Sequence, residues 1–188
     1  NDNDQRKLFG YLLYKYHYLS YKTPVGENMK YLVKDKNGRV LCCMLFGSAA
    51  WRVAGRDQFI GWSENNRKAH LYLVTNNSRF LILDWVNVPN LASYLLSVIA
   101  KRISKDFQDK YAHPVYLLET FVERQRFKGT CYKAANWIHV GQTQGRSRND
   151  RYSRLSVPVK NIFLYPLTQQ FQEHLNGKDF IGNGHQTR

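Results

Sequence analysis

Two side chains in the second half of this chain have the chemistry for proton transfer or nucleophilic attack. Glu119 closes the apolar run VYLLE. A carboxylate at the carboxyl end of a strand, beside the cleft that a mixed sheet opens there, is a candidate general base. Burial would raise its pKa towards neutrality. The same carboxylate could instead pair with one of the chain's many arginines. Cys131 follows Gly129 and Thr130 at the expected start of a helix. The helix dipole, with Arg126, Lys128 and Lys133 nearby, would lower a thiol pKa there and make Cys131 a nucleophile. Packing as a small apolar side chain is the alternative. Its neighbour Tyr132 could stack on a nucleobase or sit in the core with its hydroxyl satisfied.

Other side chains suit binding better than catalysis. TNNSR sets Asn76 and Asn77 ahead of Arg79. Amides and a guanidinium can read base edges or hold a phosphate, but the same residues can make a turn before a strand. QGRSRNDRYSR carries Arg146, Arg148, Arg151 and Arg154 with Tyr152, and Asp150 is the only acid among them. That mixture suits a loop that wraps a phosphate backbone and stacks an aromatic on an exposed base. A solvated loop between strands would look the same. Arg126 and Lys128 lie close enough in sequence to join such a basic rim. In RVAGRDQFIGW, Arg56 and Asp57 could form a simple ion pair, and Trp62 could face a ligand.

These residues need a scaffold. Residues 4 to 18 read as a helix, with Asp4 as cap and Leu8, Tyr11, Leu12 and Tyr16 at helical spacing. Residues 29 to 51 read as a hairpin around Asn37-Gly38, a pair that tolerates the positive φ such a turn requires. Its second run, 40 to 46, is apolar throughout, so both faces should be covered, with Cys42 and Cys43 pointing opposite ways. Residues 52 to 62 look irregular. Ser63 can cap a short helix after it. Residues 78 to 86 read as a strand, and 88 to 111 as one long helix with a stripe of Ala92, Leu95, Leu96, Ile99, Ile103 and Phe107. A buried strand over 114 to 122, a short helix over 130 to 136, strands over 138 to 143 and 157 to 167, and a short closing helix complete the order. Strands alternating with helices predict an α/β domain, residues 1 to 175, with a mixed sheet covered by helices on both faces. The polar tail, 176 to 188, is expected to fray.

Composition narrows the partners. The chain has 188 residues, with 28 Lys and Arg against 14 Asp and Glu, a net charge of +14. Such an excess favours a polyanion, nucleic acid ahead of an anionic membrane. No apolar run approaches the length of a membrane span, and the opening NDNDQRKLFG is no signal peptide. Three cysteines suit a reducing cytoplasm rather than a disulfide framework, and the six histidines show no zinc spacing with them, so no metal is expected.

The order of elements resembles the GNAT acyltransferase fold. YKAANW, residues 132 to 137, has the spacing of the GNAT motif Tyr-x-x-x-Gly-Phe, with Asn136 for the glycine and Trp137 for the phenylalanine. The resemblance gives Tyr132 the place of a general acid, since a phenol can hand a proton to a leaving thiolate. In the family's cofactor turn, Asn87 and Asn90 stand where arginine or glutamine and glycine are expected, and only Ala92 conforms. Pro89 removes an amide that phosphates would need. No cofactor is therefore expected, acetyl-CoA included.

Over roughly residues 15 to 167, the blocks HYLSYKTPVGEN, LFGSAAW, RDQFIGW, LVTNNSRFLIL, LLETFVE and RFKGTCYKAANWIHVGQTQGRSR resemble DruA-type proteins of the Druantia anti-phage system. Ser20 departs from the HYLG form of that family. The resemblance implies a defence setting and, with the charge, a protein that binds or senses DNA through a basic cleft and loop. An acyltransferase with Tyr132 as acid and Glu119 as base is the alternative, as is an adaptor docking onto a helicase-like or transposase-like partner.

Overall fold

The structure is a computed structural model that describes residues 2–145 and 157–178. Helix α1 (Asp2–Tyr16) leads through a loop to the hairpin β1 (Asn28–Lys34) and β2 (Val40–Ser48). Two short helices follow, α2 (Ala54–Ile60) and α3 (Glu64–His70), then a 3-10 turn (Leu71–Leu73) and β3 (Val74–Ile82). Helices α4 (Leu91–Ala100) and α5 (Ile103–Tyr111) return the chain to β4 (Leu117–Glu123). It ends with α6 (Thr130–Ala134), β5 (Ile138–Gln142), β6 (Lys160–Pro166) and α7 (Phe171–Leu175). The arginine loop residues Arg146, Arg148, Arg151, Tyr152 and Arg154 lie outside the described residues, as does most of the expected tail.

The six strands form one mixed sheet in the order β1-β2-β3-β4-β6-β5. Every neighbouring pair is antiparallel except β3 and β4. Helices cover both faces. Leu96, Ile99 and Ile103 from α4 and α5 pack on Cys42, Met44, Phe46 and Leu118. On the other face, α1 covers Cys43 and Leu45, while α2 and α7 cover Leu117, Ile162 and Leu164. Cys42 and Cys43 are both fully buried, on opposite faces of β2. Among the described residues, no helix is long and apolar enough to cross a membrane.

Three elements differ from the sequence expectation. The strand expected at 78 to 86 begins and ends four residues earlier, so Asn76 and Asn77 are strand residues, not a turn. The polar run enters the sheet because Thr75 Oγ1 donates to the Gly47 carbonyl and the Asn77 amide to those of Leu45 and Arg79, across an irregularity in the β2–β3 register. Satisfied in this way, polar side chains do not oppose a strand. The long helix breaks at Lys101 and Arg102, and its apolar stripe is shared between α4 and α5. The stretch that looked irregular holds α2, closed by Gly61 at φ +77°.

Candidate functional site

Strands β3 and β4 pair only from Val74↔Leu117 to Asn76↔Glu119, then part. A cavity of about 520 Å³ opens where they separate. Its walls are the outer halves of the two strands, the loop and first turn of α6, and residues Tyr16 to Leu19 at the end of α1.

Strand separation leaves main-chain groups facing the gap. The Leu83 amide donates to the Leu41 carbonyl on the β2 side. Alternation along an antiparallel pair therefore turns the N–H and C=O of Phe80 and Ile82 the other way, towards β4. The Arg124 amide donates to the Val159 carbonyl beyond β6, so Phe121 by the same rule turns its groups towards β3. Among the described residues, neither edge has a third strand to pair with there.

Tyr132 closes the floor. Its hydroxyl donates to Asn77 Oδ1 at 2.8 Å and lies 3.5 Å from Thr120 Oγ1, which in turn donates to the Asn77 carbonyl. The ring stacks on Phe163 and meets Trp137 edge-on. Burial pushes the phenol pKa up. Asn136 has φ +61°, the left-handed region where glycine is favoured and asparagine tolerated, which fits its place in the tyrosine motif. Cys131 is half-buried in the cavity wall. Burial pushes its thiol up, against hydrogen bonds from the backbone at the helix start. The expected lowering of the thiol pKa is thus reversed. α6 has only five residues, too short a dipole to offset desolvation.

Glu119 lies on the opposite face of the sheet. It is third in β4 rather than last, and successive strand residues alternate faces, so Thr120 points to Tyr132 and Glu119 to α2. Glu119 is wholly buried. Its Oε1 accepts from the Ala50 amide at 2.7 Å and its Oε2 from Arg56 Nη1 at 2.8 Å. Arg56, also wholly buried, donates to the Ala50 carbonyl and to Asp57, and Asp57 pairs with Arg67. The expected Arg56–Asp57 pair is therefore part of a larger buried network. Burial pushes the Glu119 carboxyl up while Arg56 and the Ala50 amide pull it back. The structure does not bring Glu119 and Tyr132 to one cleft. Trp62 Nε1 donates to the Leu175 carbonyl, which ties α7 to the network's edge.

The binding candidates divide. Arg79 points inward, donating to the carbonyls of Ser20 at 3.0 Å and Ser78 at 2.7 Å, and it pins the segment after α1. Burial lowers its pKa. Asn77 is buried and fully engaged, and Asn76 holds its Oδ1 buried without a partner. Arg126 and Lys128 remain at the cavity side. Arg126 pairs with Glu123 at 3.2 Å and lies 5.1 Å over the Tyr18 ring. Lys128 is exposed and lines the cavity.

Sequence reasoning missed the aromatic mouth. Tyr18 and Phe127 are 39% and 47% exposed, with ring centroids 5.2 Å apart. Beside them, His17 Nδ1 accepts from the Leu19 amide at 3.1 Å. Burial and nearby Arg79 push the imidazole down to about 4. The only signal was that HYLS and RFKG each set an aromatic beside a small turn residue.

Similar solved structures bear on the fold. A spermidine N-acetyltransferase SpeG mutant from Vibrio cholerae matches at TM-score 0.52 and 7% identity, covering 95% of this chain and 78% of that one. A chimera of the Vibrio cholerae enzyme and hSSAT matches at 0.51 and 8%, covering 94% and 80%. At such identity the likeness is one of fold, and the GNAT-like topology expected from the sequence is present. No curated protein matches the chain. An acyl-CoA would need free amides ahead of α4. There Leu91 spends its amide on the Val88 carbonyl, Pro89 has none, and Asn90 carries a side chain at φ +58°. The turn ahead of α4 therefore offers few free amides to a pyrophosphate. The model of the Druantia protein DruA family matches residues 1–157. That match runs from α1 through β5, past every wall of the cavity, and the chain belongs to the Druantia protein DruA family.

Proposed function

We propose that this chain is an anti-phage defence protein that binds nucleic acid, DNA foremost, at the cavity between β3 and β4. One observation carries the reading: two exposed aromatic rings, Tyr18 and Phe127, stand side by side at the cavity with Arg126 and Lys128 next to them. Rings offer sequence-tolerant stacking, and cations follow the phosphates. Family membership supports the defence setting, and the net charge of +14 supports a polyanionic partner. The acyl-transfer alternative is less well supported. The Tyr132 hydroxyl donates its hydrogen bond to Asn77 Oδ1, and Glu119 is sealed on the other face.

Anisotropy of a labelled oligonucleotide, titrated at several NaCl concentrations, tests the proposal. Affinity should fall linearly on a log–log plot, because each neutralised phosphate releases counterions. Lys128→Ala and Arg126→Ala should each weaken binding and reduce the slope by about one. No binding at low salt, or a flat salt response, refutes the reading.

A further inference from the structure

We infer that the cavity between β3 and β4 receives one unstacked nucleobase, from a single strand or a nucleotide turned out of a duplex, and that main-chain edges rather than side chains read it. This rests on the nucleic-acid reading above.

Three observations converge. The cavity, about 520 Å³, is of the size that encloses a small organic ligand. Tyr18 and Phe127 flank it as exposed rings, and the face of a base is their natural partner. Among the lining side chains, Asn77, Thr120 and Tyr132 are already bonded to one another and to backbone carbonyls. The main chain of Phe80 and Ile82 is what faces the gap by strand alternation. A single strand residue presents one N–H and one C=O side by side. The edge of a base presents a donor and an acceptor side by side as well. Such an edge supplies the partner that main-chain groups require away from water. A duplex with its bases stacked cannot offer it. Arg126 and Lys128 then stand where the strand's phosphates leave the pocket.

Cys131 reports on this directly. It lines the cavity, whereas Cys42 and Cys43 have no exposed surface, and the chain has no other cysteine. Alkylation of the native protein by iodoacetamide at mildly alkaline pH, located by mass spectrometry, therefore follows the cavity. A saturating single-stranded DNA oligonucleotide should slow Cys131 alkylation severalfold. A hairpin-capped duplex of equal charge should also bind in a salt-dependent way but leave the rate unchanged. A duplex with one mismatch should protect partially. Phe127→Ala and Tyr18→Ala should each weaken single-strand binding about tenfold without changing the salt slope.

If the single strand binds and Cys131 stays as reactive as before, or if the capped duplex protects equally well, the inference falls while the nucleic-acid reading stands. If neither DNA binds, both fall. Protection by coenzyme A and none by DNA would also overturn it, and would favour acyl transfer.

Discussion

His17 stands at the cavity wall with its Nδ1 accepting the Leu19 amide, so the fold holds a neutral ring. Its pKa is pushed down to about 4, first by burial and then by Arg79. An unfolded histidine titrates near 6.5. Between those values the unfolded chain takes up a proton that the folded one refuses. The stabilising effect is complete above about pH 6.5 and drains away as pH falls towards 4. The ring is only half-buried, so solvent screening makes the loss smaller than the shift suggests. Urea midpoints at pH 7 and pH 4.5 should differ less for His17→Asn than for the unaltered chain. Equal differences would remove His17 as a source. Three residues on, Ser20 carries φ +53° while its amide bonds to the His17 carbonyl and its own carbonyl holds Arg79. A side chain in that region costs energy that glycine avoids, against the freedom glycine gains when unfolded. Ser20→Gly should therefore stabilise by about 0.5 to 1 kcal/mol, read as a higher urea midpoint. The HYLG form that the sequence resembles has glycine at this place, and a φ of +53° is one that glycine adopts without strain.

At the scale of elements, β4 is fastened to α2 by the buried Arg56–Glu119 pair. Removing one member strands the other charge away from water. Glu119→Ala should cost about 3 to 5 kcal/mol, whereas Arg56→Met combined with Glu119→Leu should recover much of that loss. Denaturant curves for the two singles and the double decide it. Additive losses would show that the pair is not coupled. This pair also marks what the sequence could tell. Burial of VYLLE and the presence of a partner arginine were both open to reading, but the partner's position on α2 was not. α2 itself was hidden, since ungapped helical periodicity needs more than the seven residues it has. The hairpin was legible because Gly38 sits at φ +81° between two apolar runs. Ser63 was legible as a cap, and its hydroxyl does accept the Asn66 amide. The start of β3 was illegible because Thr75 and Asn77 depend on carbonyls of Gly47 and Leu45, which only the tertiary fold supplies.

For the whole molecule, charge was the most legible property and the cavity the least. Tyr18 and Phe127 lie far apart along the chain, and no local pattern joins them. The gap exists only because two parallel strands part. Charge also has to be read with its pairing. Arg6, Arg39, Arg56, Arg67, Arg102 and Arg126 each meet an acid, so exposed lysines such as Lys128 and Lys133 carry much of the surplus among the described residues. This arrangement fixes how the molecule answers salt. At +14 the exposed cations repel one another and oppose the compact state. Raising ionic strength from about 0.01 M to 0.1 M shortens the screening length from about 30 Å to 10 Å and relieves that repulsion. The exposed pairs that salt also screens, Lys68–Glu64 and Lys105–Asp109, contribute little. The Arg56–Glu119 pair lies beyond its reach. Added NaCl should therefore raise the thermal midpoint of the free protein while it lowers affinity for DNA. Bound DNA should raise the midpoint at low salt and lose that effect as salt increases, because stabilisation by a ligand follows its affinity. Melting curves with and without oligonucleotide across a salt series test both halves. A free-protein midpoint that falls with salt would mean that attractive surface pairs, not surplus cations, dominate the electrostatics of the fold.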